Sequence, residues 1–402
     1  MKVKFYKFKS KLYKLASYIK RIAPYIYMFL PLYLKFLVKT KSGSEEDIWL
    51  ISERGDEARD NGYHLFEFIR INYPDIPVYF VLDKESSDYS KVSKYRNLIQ
   101  PNSKEHFEMF IQAKKLISTH MYGAAPYGKA CLPFLRFMEK KHHINIRHGI
   151  TFSKFKVKDK NIDLFICSSE LEKECYRESS QNVLEAIKVL GLCRYDKLID
   201  ESKENHSIIL VMPTFRKWLE DLSRVPNYKE IFMNDDYFTK WKGLLENKQL
   251  HRILEKGNIQ LIFYPHYRSQ KFIDKYQVDN NRVILAKKED YDIQSLLKKS
   301  SLLITDYSSV HFDFAYMKKP VLYYQFDKKK FNKDHYQFKY SYDEAGLGPI
   351  CKTEGEVIDK INSIVNNNFL MGEKYQKRLK NTFKYQDQNN TKRNFEEIKK
   401  LK

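Results

Sequence analysis

Residues 301–320, SLLITDYSSVHFDFAYMKKP, constrain the fold more than any other stretch of the chain. Leu302, Leu303 and Ile304 form a short apolar run that Thr305 and Asp306 close. Tyr307, Ser308 and Ser309 follow, and Val310, Phe312, Phe314 and Ala315 then recur as on the buried side of a helix. Lys318-Lys319-Pro320 ends that helix, because proline cannot continue it, and VLYY begins a second strand. A strand, a hydroxyl-bearing turn, a helix and a strand make one unit of an open α/β sheet. Ser308 or Ser309 is placed to cap the helix, and the amides beyond the cap suit an anion. An ordinary unit whose serines only cap fits the same residues.

The same alternation runs through most of the 402 residues. IWLIS at 48–52, VYFVLD at 78–83, KKLISTH at 114–120, HINIRHGI at 143–150 and NIDLFICSS at 161–169 read as strands separated by helical spacing. Between them, Asp60 or Asn61 stands as an N-cap before Leu65, Phe66 and Ile69. The polar stretch ESKENH at 201–206 marks a boundary. SIILVMPTF, QLIFYPHYR, RVILAKKED and the 301–327 unit then form a second set. The expected organisation is a basic segment over 1–41, an α/β domain over 45–200, a second over 207–375, and a helical tail over 376–402. Residues 328–349, basic and aromatic, read as a loop over a site.

Chemistry-bearing side chains gather just after these strands, where ligands of open α/β sheets bind. His148, in RHGI, is the candidate general base, since an imidazole accepts a proton near neutral pH. Arg147 beside it suits a phosphate. Thr214 and Arg216 in MPTFR, and His266 and Arg268 in YPHYR, offer hydroxyl, imidazole and guanidinium to an anion. Asp306 reads as an orienting group, and Asp313 as an inward-facing carboxylate. A surface histidine and solvated strand-end arginines are the plainer alternatives. No GxxxxGK[ST] and no GxGxxG occurs, which excludes a P-loop nucleotidase and a dinucleotide-fingerprint enzyme. Cys131, Cys167, Cys175, Cys193 and Cys351 form no CxxC pair, so no zinc site is expected, and their scatter suits a reducing compartment.

The net charge of +21 calls for an anionic partner. Residues 1–41 carry eleven Lys or Arg and no Asp or Glu. Phe5, Phe8, Leu12, Leu15 and Ile19 recur at helical spacing among them, as in a helix lying in an anionic membrane interface, and a basic helix packed on the protein's own surface is the alternative. Residues 22–38 are apolar but short, with two prolines and Lys35, so a span is not expected. No nucleic-acid module surrounds these lysines, and nucleic acid is not an expected partner.

Taken together, LLITDYSSVHFDFAYMKKPVLYYQFD, ARDNGYHLFEFI, the His148-Gly149 pair, MPTFR, FYPHYR and YSYDEAGLGP resemble the CDP-glycerol glycerophosphotransferase family of teichoic acid and capsule synthesis. The resemblance covers about residues 48–375 and preserves the order of segments. It implies a GT-B-like fold, with two Rossmann-like domains facing a cleft, and transfer of an alditol phosphate from a CDP-alditol to a hydroxyl with release of CMP. It assigns the catalytic base to His148 and donor contacts to Arg216, His266, Ser308 and Ser309. The expected partners are CDP-glycerol or CDP-ribitol as substrate, a polyol-phosphate or undecaprenyl-linked acceptor, and the cytoplasmic face of the bacterial plasma membrane. No cofactor or metal is implied. RHGIT stands where the family commonly has WHGTP, and PHY where it has HPH, so acceptor and alditol are open. A nucleotide-sugar glycosyltransferase and a non-catalytic anionic-polymer binder are the alternative functions.

Overall fold

The computed structural model describes residues 16–40, 46–138, 141–152, 162–177, 180, 183–204, 207–221, 225–335 and 337–402. Contacts divide the chain into two compact units: residues 1–150, 156–196 and 387–402, and residues 151–155 with 197–386. Each is built on a parallel sheet, as the strand–helix alternation leads one to expect.

In the first unit the strands are β1 (Trp49–Ser52), β2 (Val78–Val81), β3 (Leu98–Ile99), β4 (Lys115–Ser118), β5 (His142–Asn145), β6 (Ile162–Cys167) and β7 (Ile187–Val189). Their order is β3-β2-β1-β4-β5-β6-β7. β1 is fully buried because helices cover both of its faces, the usual condition of a parallel strand. Trp49 and Ile51 pack with Phe66, Ile69 and Phe80 on one side, where Phe395 and Ile398 join them. Leu50 and Leu116 face Phe107, Phe110, Tyr25 and Phe29 on the other.

The second unit contains β8 (Ile208–Met212), β9 (Gln260–Phe263), β10 (Val283–Leu285), β11 (Leu302–Thr305), β12 (Val321–Tyr324) and β13 (Ile350–Cys351), in the order β10-β9-β8-β11-β12-β13. Ile209, Val211, Phe263, Ile304 and Leu322 meet Trp241, Leu244, Val357 and Ile361 in its core. Both sheets reverse direction of build beside their first strand, between β1 and β4 and between β8 and β11. Such a switch point leaves a crevice at the C-terminal strand ends.

Three expectations change. Residues 328–349 are not an irregular loop: they contain helices Lys328–Asp334 and Tyr342–Ala345, the second closed by a Ser341–Glu344 capping box. Phe331 anchors the first helix by stacking on Tyr307 at 3.8 Å. The apolar part of the N-terminal segment is committed to the first unit, because Tyr25 and Phe29 are fully buried and the Tyr25 hydroxyl donates to the Pro126 carbonyl at 2.6 Å. Phe5, Phe8, Leu12 and Leu15 lie outside the described residues. The tail after residue 376 is split, since helix Glu373–Thr382 lies in the second unit and helix Asn390–Lys399 returns to the first.

Candidate active site

In the first unit the site is built on the turns that follow β1, β4 and β5. Glu53, just after β1, is buried and accepts the backbone N–H groups of Arg59, Asp60 and Tyr63 at 3.0, 3.0 and 2.7 Å. These donors open helix Asn61–Asn72, so the carboxyl sits where a helix start offers free amides. A Cβ at Gly62 would come within 2.9 Å of the Glu53 side chain, which makes glycine necessary there. Burial and the nearby Asp60 charge push the Glu53 carboxyl well above the ordinary carboxylate range.

This anchoring aims Asp60 at His148. Asp60 Oδ2 lies 2.5 Å from His148 Nδ1, and Asp60 Oδ1 accepts from Arg194 at 2.7 Å. Burial alone would raise the Asp60 carboxyl, but the Arg194 guanidinium and the His148 imidazole outweigh it and hold the group below its usual range. An ionised Asp60 accepts a hydrogen bond from His148 Nδ1–H, so Nε2 is left as the basic nitrogen. The side chain of His148 is 53% exposed, which keeps Nε2 open to a substrate. Arg194 also donates to the His148 carbonyl at 2.7 Å, and Asn61 ties the Arg147 carbonyl to the Arg194 amide. Asn61 therefore fixes the loop. Arg147 adopts a left-handed φ of 59° and turns its guanidinium inward, 3.6 Å from buried Glu172 and over the Phe165 ring. It does not present itself to a phosphate, as expected from sequence, but shapes the turn that presents His148.

In the second unit, the turns after β8, β9, β11 and β12 come together. Arg216 is fully buried: its guanidinium meets Asp327 at 2.7 Å, Asp306 at 2.8 Å and the Thr214 carbonyl at 2.6 Å. The direct phosphate contact expected of Arg216 is corrected by this geometry, because buried carboxylates already take its donors. Asp306 accepts from the Thr214 and Tyr307 amides at 2.9 and 2.6 Å and so joins the β8 and β11 turns. The Thr214 hydroxyl is buried.

Around this strut lie the groups that face outward. His266 is half-buried against the Phe215 ring, and His335 also packs against Phe215, edge to face. Arg268 is exposed, stacks over Phe215 at 4.4 Å and pairs with Glu220. Burial, followed by the Arg216 and Lys217 charges, holds the His335 imidazole near 3, so this ring is neutral at physiological pH. Ser308 accepts weakly from the Val310 amide at 3.4 Å, while exposed Ser309 makes no cap with its hydroxyl. Asp313 is buried on helix Val310–Tyr316. Sequence reasoning missed Glu53, Arg194 and Asp327 as supports, and His120 and His335 as neighbours. Glu53, His120 and Asp327 carried a signal as polar residues just after the IWLIS, KKLIST and VLYYQF runs, while Arg194 and His335 follow no such run.

Two parallel α/β units, each gathering polar side chains at its C-terminal strand ends, define a GT-B-like protein. The solved wall teichoic acid polymerase TagF has this fold, with a TM-score of 0.68 at 16% identity over 97% of this chain and 98% of that one. The chain belongs to the CDP-Glycerol:Poly(glycerophosphate) glycerophosphotransferase family, whose model matches residues 33–400. It is 32% identical over 376 residues to the minor teichoic acid biosynthesis protein GgaB of Bacillus subtilis, covering 89% of this chain and 40% of that protein. It is 22% identical over 348 residues to the teichoic acid poly(glycerol phosphate) polymerase of Staphylococcus epidermidis, covering 79% and 47%. The chain thus spans less than half the length of these relatives.

Proposed function

We propose that this chain transfers glycerol phosphate, or a related alditol phosphate, from a CDP-alditol to a hydroxyl of a polyol-phosphate acceptor. The observation that carries the reading is the Arg194–Asp60–His148 relay, which prepares one basic nitrogen in a protein of this family. His148 Nε2 takes the proton of the acceptor hydroxyl as its oxygen attacks the β-phosphorus. The bond from that phosphorus to the bridging oxygen breaks, and CMP leaves with the bridging oxygen. Asp60 stabilises the imidazolium that forms, as a carboxylate does behind the histidine of a hydrolase triad. His266, Arg268, Ser308 and Ser309 hold the donor phosphates, while Arg216 and Asp306 hold the turns that carry them.

The site of action in this reading is the inner face of a bacterial membrane, with the acceptor carried on a lipid. Exposed Ile19, Ile26, Tyr27 and Leu34, on the helical segment whose other side is buried, support that placement. Incubation with CDP-glycerol and CDP-ribitol, each with and without a glycerol-phosphate oligomer, tests the activity. Acceptor-dependent CMP release and a phosphate in the new linkage are expected. No CMP release with either donor would sink the reading.

A further inference from the structure

We propose that His120 contacts the acceptor beside the base, donating a hydrogen bond to the hydroxyl vicinal to the one that attacks. This rests on the reading of His148 as the acceptor-side base. His120 lies in the turn after β4 and His148 in the turn after β5, on neighbouring strands. Their rings lie 5.0 Å apart and are tilted by 32°. The turn is rigid: the Ser118 hydroxyl and the Gly123 amide both donate to the His120 carbonyl, at 2.6 and 2.9 Å. A Cβ at Gly123 would press on Ser118 and on the Glu53 and His120 carbonyls at 3.0–3.1 Å.

The tautomer follows from Thr119. Its side chain is buried, and its hydroxyl lies 2.9 Å from His120 Nδ1. With that hydroxyl donating, Nδ1 accepts and Nε2 carries the ring proton, and this is the tautomer the proposal takes. Burial, then the charges of His148 and Arg54, keep this ring neutral to about pH 4. It stays a neutral donor while His148 holds the abstracted proton.

A neutral N–H one ring away from the base suits an oxygen on the carbon adjacent to the attacking hydroxyl, because oxygens on adjacent carbons lie about one hydrogen-bond length apart. The end of a polyol-phosphate chain carries such a diol. His120 moves no proton, and the bonds made and broken are those of the transfer itself. Its work is selection, since a donor left unpaired by a deoxy acceptor disfavours that acceptor.

The test compares 2,3-dihydroxypropyl phosphate with 3-hydroxypropyl phosphate as acceptors. The wild type is expected to prefer the diol by about tenfold or more in kcat/KM. His120→Ala is expected to erase most of that preference by raising KM for the diol, with KM for the CDP-alditol unchanged. His120→Gln, which keeps an N–H donor, is expected to retain part of it. An unchanged diol preference in both variants overturns the proposal, as does an equal loss on both acceptors. If the wild type turns over no CDP-alditol, the functional reading fails separately. The nitrogen resonance of His120 Nε2 then decides, since a shift on adding the diol but not the deoxy compound upholds the contact and its absence overturns it.

Discussion

Asp60 decides what His148 can do, and two substitutions separate orientation from proton transfer. His148→Ala removes the base and is expected to lower turnover by roughly 10²–10⁴-fold with little change in CDP-alditol binding. Asp60→Asn keeps the shape but offers no charge to the imidazolium, and its expected loss in kcat is about 10–10³-fold. Wild-type turnover in Asp60→Asn would remove Asp60 from the mechanism. Arg216 behaves differently, because it is fully buried and pairs with the buried Asp306 carboxylate and the largely covered Asp327 carboxylate. Arg216→Ala leaves Asp306 and Asp327 uncompensated and is expected to cost about 3–5 kcal/mol of stability, read from urea unfolding. An unchanged unfolding midpoint contradicts that role. The place of His148 in a turn after a strand was legible in sequence, because an imidazole before a glycine after an apolar run is a local signal. Arg216 was legible as a strand-end arginine but not in its direction, since the Asp327 carboxylate that captures it lies 111 positions away. Ion pairs of that kind are visible only once the sheet order is known.

At the scale of elements, burial on both faces made the central strands readable, because a parallel strand needs a continuous apolar run. β3 and β13 escaped because two-residue edge strands carry no period. Helix Lys328–Asp334 escaped because its single deep anchor, Phe331, sits among lysines that look like a solvated loop. The N-terminal segment was read from its amphipathic spacing, yet spacing alone does not name what the apolar side touches. Here one side holds Tyr25 and Phe29 in the core and the other exposes Ile26 and Leu34, at 52% and 63%. Removing the whole segment would therefore confuse folding with docking. Ile26→Glu and Leu34→Glu leave the buried side intact and are expected to weaken binding to anionic vesicles by about tenfold or more, through lost apolar insertion. Equal vesicle binding by the double variant and the wild type, in a flotation assay, would show that this side does not meet the lipid.

On the scale of the molecule, the chain leaves its first unit and returns to it at the end. Helix Asn390–Lys399 inserts Phe395 and Ile398, both fully buried, against Trp49 and Phe66. Asp196 accepts the amides of Asn390 and Thr391 at 2.9 and 2.7 Å and so caps the returning helix. Gly191 makes room for it, since a Cβ there would lie 1.9 Å from Asn390 Oδ1, and its φ of 84° favours glycine as well. None of this showed in sequence, because a charged tail with a few apolar positions gives its helical period but not its docking surface. The consequence is that the acid–base turns of the first unit depend on residues near the far end of the chain. Phe395→Ala is expected to cost about 3–5 kcal/mol by opening a cavity beside β1. A chain ending at residue 386 is expected to lose amide protection in β1 and in helix Asn61–Asn72, while β8 and β11 keep theirs. Hydrogen exchange on the full and shortened chains reads both units at once, and full protection of β1 in the shortened chain would show that the first unit holds together without its returning helix.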